Sequence, residues 1–101
     1  MSMNINKTQN GDKTVLALSG RLDTITAPQL EEVLLPELDN AKHVELDFAE
    51  LDYVSSAGLR VLLLGSKTAK AKGAQMTIVH ASSAITEIFE MTGFLNFLHI
   101  E

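Results

Sequence analysis

The sequence predicts one α/β domain, a mixed sheet of four to five strands with its helices packed on one face. Three observations carry that expectation. The chain has 101 residues, the size of a compact domain with one modest core. Its apolar patterning runs strand, strand, helix, strand, helix, strand, helix. Two strand–helix–strand crossovers imply parallel pairing with right-handed connections, and an opening hairpin adds an antiparallel member. Residues 1–101 read as that one domain, with no linker, repeat or low-complexity segment.

The first strand runs from about Met3 to Gln9 and meets Asn10-Gly11, a pair suited to the positive φ of a tight turn. A second strand follows from Thr14 through Ser19 to Gly20, apolar enough for the sheet interior. Thr26 is a good helix N-cap, with Gln29 placed to complete a capping box and Pro28 in the first turn. Leu30, Val33 and Leu34 repeat at helical spacing, and this helix is expected to fade at Pro36 or just beyond.

Val44, Leu46 and Phe48 alternate with Glu45 and Asp47, which marks a third strand. Ala49-Glu50-Leu51-Asp52 reads as turn-rich and leads to Tyr53-Val54-Ser55-Ser56. A second helix then runs to about Lys72 and stops at Gly73, with Lys67, Lys70 and Lys72 toward the negative end of its dipole. Gln75–Val79 is a fourth strand. Ser82 or Ser83 caps a third helix that carries Ile85, Ile88, Phe89 and Met91 and closes at Gly93. The tail from Phe94 to Ile100 adds a short last strand or packs down. Helices on one side leave the other sheet face with some exposed apolar surface.

Composition narrows the function. The formal charge of −5, without a basic stripe, argues against a general nucleic-acid role. No apolar run approaches the roughly 20 residues of a membrane span, and the N-terminus lacks the apolar core of a secretory signal. Cysteine is absent, which excludes disulfides and thiolate metal sites. A cytoplasmic protein without membrane insertion is expected.

The stretch from Asp52 to Lys67 carries the most information. Ser55 and Ser56 stand where the chain enters a helix, among unpaired N–H groups and the positive end of the dipole. That position welcomes a phosphate or another anion. At 3.6 residues per turn, Leu59, Leu62, Leu63 and Ser66 form a core stripe. Ser56, Arg60 and Lys67 share a second face, while Ala57, Val61 and Leu64 form an apolar stripe beside it. An apolar strip next to a modifiable serine suits a regulated docking surface. Serine is also a common plain N-cap, and ordinary packing can cover such a stripe.

Leu46-Asp47-Phe48 and the run from Tyr53-Val54-Ser55-Ser56-Ala57-Gly58-Leu59-Arg60 to Val61-Leu62-Leu63 resemble the signature of the STAS family, and Gly20-Arg21-Leu22-Asp23 resembles its earlier Gly-x-Leu-Asp motif. This domain is shared by sulfate transporters and anti-sigma factor antagonists. The resemblance covers essentially the whole chain. It implies a phosphorylation-controlled partner switch: the unmodified protein binds a kinase-type anti-sigma factor, phosphorylation of Ser56 releases it, and a serine phosphatase resets the cycle. It places Asp23 at the partner-binding edge, and together with the helical projection this gives a candidate partner-binding set of Asp23, Ser55, Ala57, Gly58, Arg60 and Leu64 around Ser56. Some members carry Asp where this chain has Ser55, so Ser55 is a second candidate hydroxyl. The alternative is a non-switching STAS scaffold in a transporter or stress-signalling complex.

Other chemistries find less support. Val54-Ser55-Ser56-Ala57-Gly58 departs from the Gly-x-Ser-x-Gly elbow of hydrolases, and no histidine lies near it in sequence. His43, His80 and His99 sit at strand edges, where solvated or hydrogen-bonded roles outweigh metal ligation. Asp47, Glu50 and Asp52 suggest magnesium less than a solvated loop, with Asp47 the exception to watch because it ends a strand near Ser56. The expectation is a non-enzyme without catalytic residues, metal or cofactor, monomeric or weakly dimeric through its open sheet face.

Overall fold

The computed structural model describes residues 3–101, so the first two residues of the expected domain lie outside it. β1 (Met3–Asn10) and β2 (Lys13–Leu22) form an antiparallel hairpin. β3 (His43–Val54), β4 (Gln75–Val79) and β5 (His99–Ile100) then join in parallel, giving the sheet order β1-β2-β3-β4-β5. α1 (Ala27–Asn40), α2 (Ser56–Lys72) and α3 (Ser83–Thr92) fill the crossovers. Every crossover steps the same way across the sheet, so right-handed connections put all three helices on one face. Leu16, Leu18, Leu46, Phe48 and Ile78 of the sheet meet Leu30, Leu34, Leu62, Ile85 and Phe89 of the helices in one core.

Four local expectations are revised. The hairpin loop is Gly11-Asp12, one residue later than Asn10-Gly11, because Asn10 pairs with Lys13 and Gly11 takes the positive φ of 59°. α1 passes through Pro36 to Asn40. Leu34 and Leu38 on either side of that proline are fully buried, and their packing outweighs one lost backbone bond. The capping box does not form: Thr26 makes no side-chain cap, and Gln29 Nε2 donates to the Met3 carbonyl at 2.9 Å.

The largest revision concerns β3, which does not end at Phe48. Its pairing with β2 shifts register twice, between Ala17 and Ser19 and between Gly20 and Arg21, and each shift gives β3 one extra residue. The buried positions after Phe48 are therefore Leu51 and Val54, spaced by three. That spacing matches neither strand nor helix, which is why the segment reads as a turn. Gly20 stands at the second bulge with φ 101°, a conformation that favours glycine. Ends elsewhere match the sequence: Ser82 caps α3 by accepting from Ile85 N at 3.2 Å, and α2 and α3 stop at Gly73 and Gly93 in left-handed conformation.

The open sheet face is mostly polar, and the apolar surface expected there includes the partly exposed Val15 and Ala17 of β2. Asn4, Asn6 and Thr8 are exposed on β1, while Lys13 Nζ meets Glu45 Oε1 at 3.3 Å. His43 Nε2 lies 3.0 Å from Thr77 Oγ1. On the helix side, the fully buried Thr14 hydroxyl has no hydrogen-bond partner among the described residues. An unpaired buried hydroxyl costs about 1–3 kcal/mol. Thr14→Val keeps the shape and removes that cost, so thermal denaturation should show a stabilisation of about 1 kcal/mol, or roughly 4–8 °C. A lower melting midpoint would mean the hydroxyl has a partner after all.

Candidate partner-binding surface

The two motifs meet because β2 and β3 run parallel and pair to their last residues, Leu22 with Val54. The chain leaves both strands at the same end, and Ser55 N donates to the Leu22 carbonyl at 2.8 Å. Asp23 and the serine pair thus follow adjacent paired positions, although they are far apart in sequence.

Ser55 and Ser56 have different surroundings. Ser55 is the N-cap of α2 in extended conformation, and its Oγ accepts from Gly58 N at 3.3 Å. Its carbonyl accepts from Leu59 N at 2.9 Å, starting the helix. Ser56 is the first helical residue and is exposed, and its hydroxyl bonds to no other described residue. Ser55 satisfies the helix end; Ser56 stands free at its positive mouth.

Asp23 organises the other half. Its Oδ1 accepts from Ile25 N and Thr26 N, both at 3.0 Å, and Oδ2 lies 3.8 Å from Arg21 Nε. The Thr26 N–H above all, with the Ile25 N–H, the Thr26 hydroxyl and the Arg21 charge, holds the carboxyl below the usual carboxylate range against some desolvation. The Thr26 hydroxyl itself donates to the Arg21 carbonyl at 2.7 Å and accepts from Asp23 N at 2.9 Å. Arg21 lies over the Tyr53 ring at 4.3 Å.

Between the start of α1 and the first turns of α2 lies an open groove of about 230 Å³, lined by Thr24, Ala27, Pro28, Glu31, Ala57, Arg60 and Val61. Ala57 and Arg60 are therefore brought together beside Ser56. Val61 differs from expectation: α1 covers it, and it is buried. The apolar stripe is thus broken, with Leu64 half-exposed further along and outside the groove. Gly58 is buried too, because a Cβ there would stand 2.7 Å from Leu22 Cγ and 3.0 Å from the Leu22 carbonyl oxygen. It lets α2 settle on the end of β2 rather than presenting surface.

The sequence gives no notice of Ile25, which is 79% exposed at the tip of the loop before α1. A single loop residue belongs to no periodic pattern, so only an apolar side chain between Thr24 and Thr26 hints at it. Asp47 is not near Ser56: β3 continues from Asp47 to Val54, roughly 20 Å at strand spacing. Its Oδ1 accepts from Ala49 N at 3.0 Å and lies 2.9 Å from Nδ1 of His80, a residue held at φ 60°. Partial burial pushes that carboxyl up, but the Ala49 N–H and His80 outweigh it and hold it below its ordinary value. Glu50 and Asp52 are exposed on the extended β3.

A five-stranded mixed sheet thus carries its three helices on one face, with the Ser56 hydroxyl at the start of the second helix unpartnered among the described residues. The model of the Mlab, STAS domain matches residues 5–99, and the chain belongs to the STAS family. It is 36% identical over 83 residues to BtrV of Bordetella bronchiseptica, named for an anti-sigma factor antagonist role, covering 81% of this chain and 72% of that one. It is 30% identical over 101 residues to the anti-sigma-B factor antagonist of Staphylococcus epidermidis, covering 99% and 94%. Among solved structures, the anti-sigma factor antagonist SpoIIAA in its unphosphorylated form superposes with a TM-score of 0.80 at 15% identity, over 97% of this chain and 88% of that one. The phosphorylated form of SpoIIAA, a Bacillus cell fate determinant, gives 0.76 at 15% identity, over 97% and 91%. These two likenesses establish the fold.

Gly58→Ala should cost about 1–2 kcal/mol in urea denaturation, overpacking against the Leu22 backbone exceeding the gain in helix propensity. Gly65→Ala should cost less, since its nearest atoms, Leu34 Cδ2 and Met76 Sδ, are side-chain ends that can shift. Equal stability of Gly58→Ala and the parent would remove the close approach from the account. Asp23→Asn keeps an acceptor for the loop N–H groups but removes the charge. Because the folded carboxyl titrates below its unfolded value near 3.9, the parent's advantage over this variant should be full above about pH 4 and shrink as pH falls through the folded value. Denaturation midpoints of the two proteins from pH 6 down to about 2.5 check the sign.

Proposed function

We propose that this chain is an anti-sigma factor antagonist working as a phosphorylation-controlled partner switch. The unmodified protein binds a kinase-type anti-sigma factor, which phosphorylates Ser56 and is thereby released; a serine phosphatase restores the binding form. Asp23, Ser55, Ala57, Arg60 and Leu64 form the contact surface, Ile25 adds an apolar anchor at its edge, and Gly58 supports it from beneath. The reading is of a binding protein, not an enzyme.

The carrying observation is the division between the two hydroxyls. Ser55 is engaged with Gly58 N, whereas the Ser56 hydroxyl is exposed and unbonded among the described residues. A phosphate on Ser56 would add roughly −1.5 to −2 charges. The mouth of α2 accommodates that charge within the molecule, so the domain has no need to refold. In an interface, however, the same charge joins the ionised Asp23 and the Glu31 carboxylate on the groove wall. An acidic partner surface would be repelled, and an apolar one would have to desolvate a dianion.

The test compares protein carrying authentic phosphoserine at position 56 with unmodified protein, by calorimetry against the kinase-type partner. Affinity should fall at least about 100-fold, the effect of a buried uncompensated charge of roughly 3 kcal/mol. Ser56→Ala should bind constitutively. Ser55→Ala should still switch while losing about 1 kcal/mol of cap stability. Equal affinity of the two unmutated forms sinks the switch, and switching that survives Ser56→Ala but not Ser55→Ala moves it to the neighbouring hydroxyl.

A further inference from the structure

A second concave surface lies toward the far end of α2, independent of how Ser56 is read. Leu63, Ser66, Lys67 and Lys70 share one face of the helix and, with Asn96 and Phe97 of the segment between α3 and β5, line a groove of about 270 Å³. From Ser56 to Lys67 is roughly 16 Å along the axis at 1.5 Å per residue.

Phe97 is 60% exposed here, and the exposure is built in. The Phe97 carbonyl accepts from Ser66 Oγ at 2.8 Å, its N–H donates to the Phe94 carbonyl at 3.0 Å, and the next residue, Leu98, is buried in the core. The backbone is thus pinned on three sides while the ring is held outward over the groove. Charge points the same way. The chain carries a formal −5, yet this groove contains two lysines and no carboxylate. Lys72 is paired with Asp39 at 2.9 Å, whereas Lys67 and Lys70 form no ion pair among the described residues.

We propose that this groove docks an acidic amphipathic segment of a partner protein: one bulky apolar side chain packs against Phe97 and Leu63, while carboxylates flanking it reach Lys67 and Lys70. The volume holds one large side chain, not a sheet or helix face. A symmetric pair of this patch with itself would set lysines against lysines, which disfavours a second copy as the occupant.

The probe is a short helical peptide with a central leucine flanked by glutamates, titrated into 15N-labelled full-length protein, alongside a counterpart with lysines for glutamates. The acidic peptide should move the amide signals of Lys67, Lys70 and Phe97, with affinity falling as salt rises. The double variant K67E/K70E should bind it at least about tenfold more weakly and prefer the lysine peptide; two partly exposed ion pairs account for that factor. Phe97→Ala should weaken both combinations, and unchanged melting midpoints exclude misfolding as the cause. Equal binding of the two peptides, or shifts confined to another surface, overturns the proposal. So does a concentration-dependent dimer in sedimentation that K67E/K70E abolishes, since the occupant would then be a second copy.

Discussion

The parallel pairing of β2 with β3, continued through two bulges to Leu22 and Val54, is the constraint on which the candidate surface depends. Without the two extra residues in β3, that strand would end out of step with β2, and the loop holding Asp23 would not emerge beside the start of α2. The hydrogen bond from Ser55 N to the Leu22 carbonyl locks the two ends together. Gly58 then brings α2 close enough to rest on Leu22. The irregular part of the sheet is therefore the part that builds the candidate surface, and bulges are common beside functional positions.

Helix ends and the regular strands were legible in the sequence because each is encoded within a few residues. Ser82, Gly73 and Gly93 act where their side chains or their lack of one predict, and Gln75–Val79 is a strand at those limits. What failed was structure decided by distant partners. Pro36 continues α1 because Leu34 and Leu38 are buried against the rest of the domain, which no local preference reports. Phe48, Leu51 and Val54 follow a spacing of three that only makes sense opposite the shorter β2. Thr26 and Gln29 have the right types for a capping box, but each has a better partner outside the helix, the Arg21 and Met3 carbonyls.

The candidate site was legible to a similar depth. Helical projection correctly placed Ser56 and Arg60 at the surface and Leu59 and Leu62 in the core, whereas Leu63 and Ser66, assigned to the same core stripe, are only partly buried and line the second groove. It assigned Val61 to an exposed stripe because a projection treats a helix as if only the sheet packed on it. α1 lies alongside α2, and Gly65 marks the contact: a Cβ there would meet Leu34 Cδ2 at 2.7 Å. Ile25 escaped notice for the opposite reason, since an exposed apolar loop residue announces itself only when its surroundings are known.

On the proposed reading, the division of roles between the two serines would leave the fold untouched by modification. If a single hydroxyl both capped α2 and carried the phosphate, modification would exchange one helix-end interaction for another and couple regulation to stability. Here Ser55 caps, Asp23 orders the neighbouring loop through Ile25 and Thr26, and Ser56 carries neither duty. The groups that determine where the surface lies are thus distinct from the group whose chemistry can change. A charge added at Ser56 would act on whatever faces the helix mouth; within the domain the dipole and Arg60 would favour it, while the Asp23 and Glu31 carboxylates would oppose it.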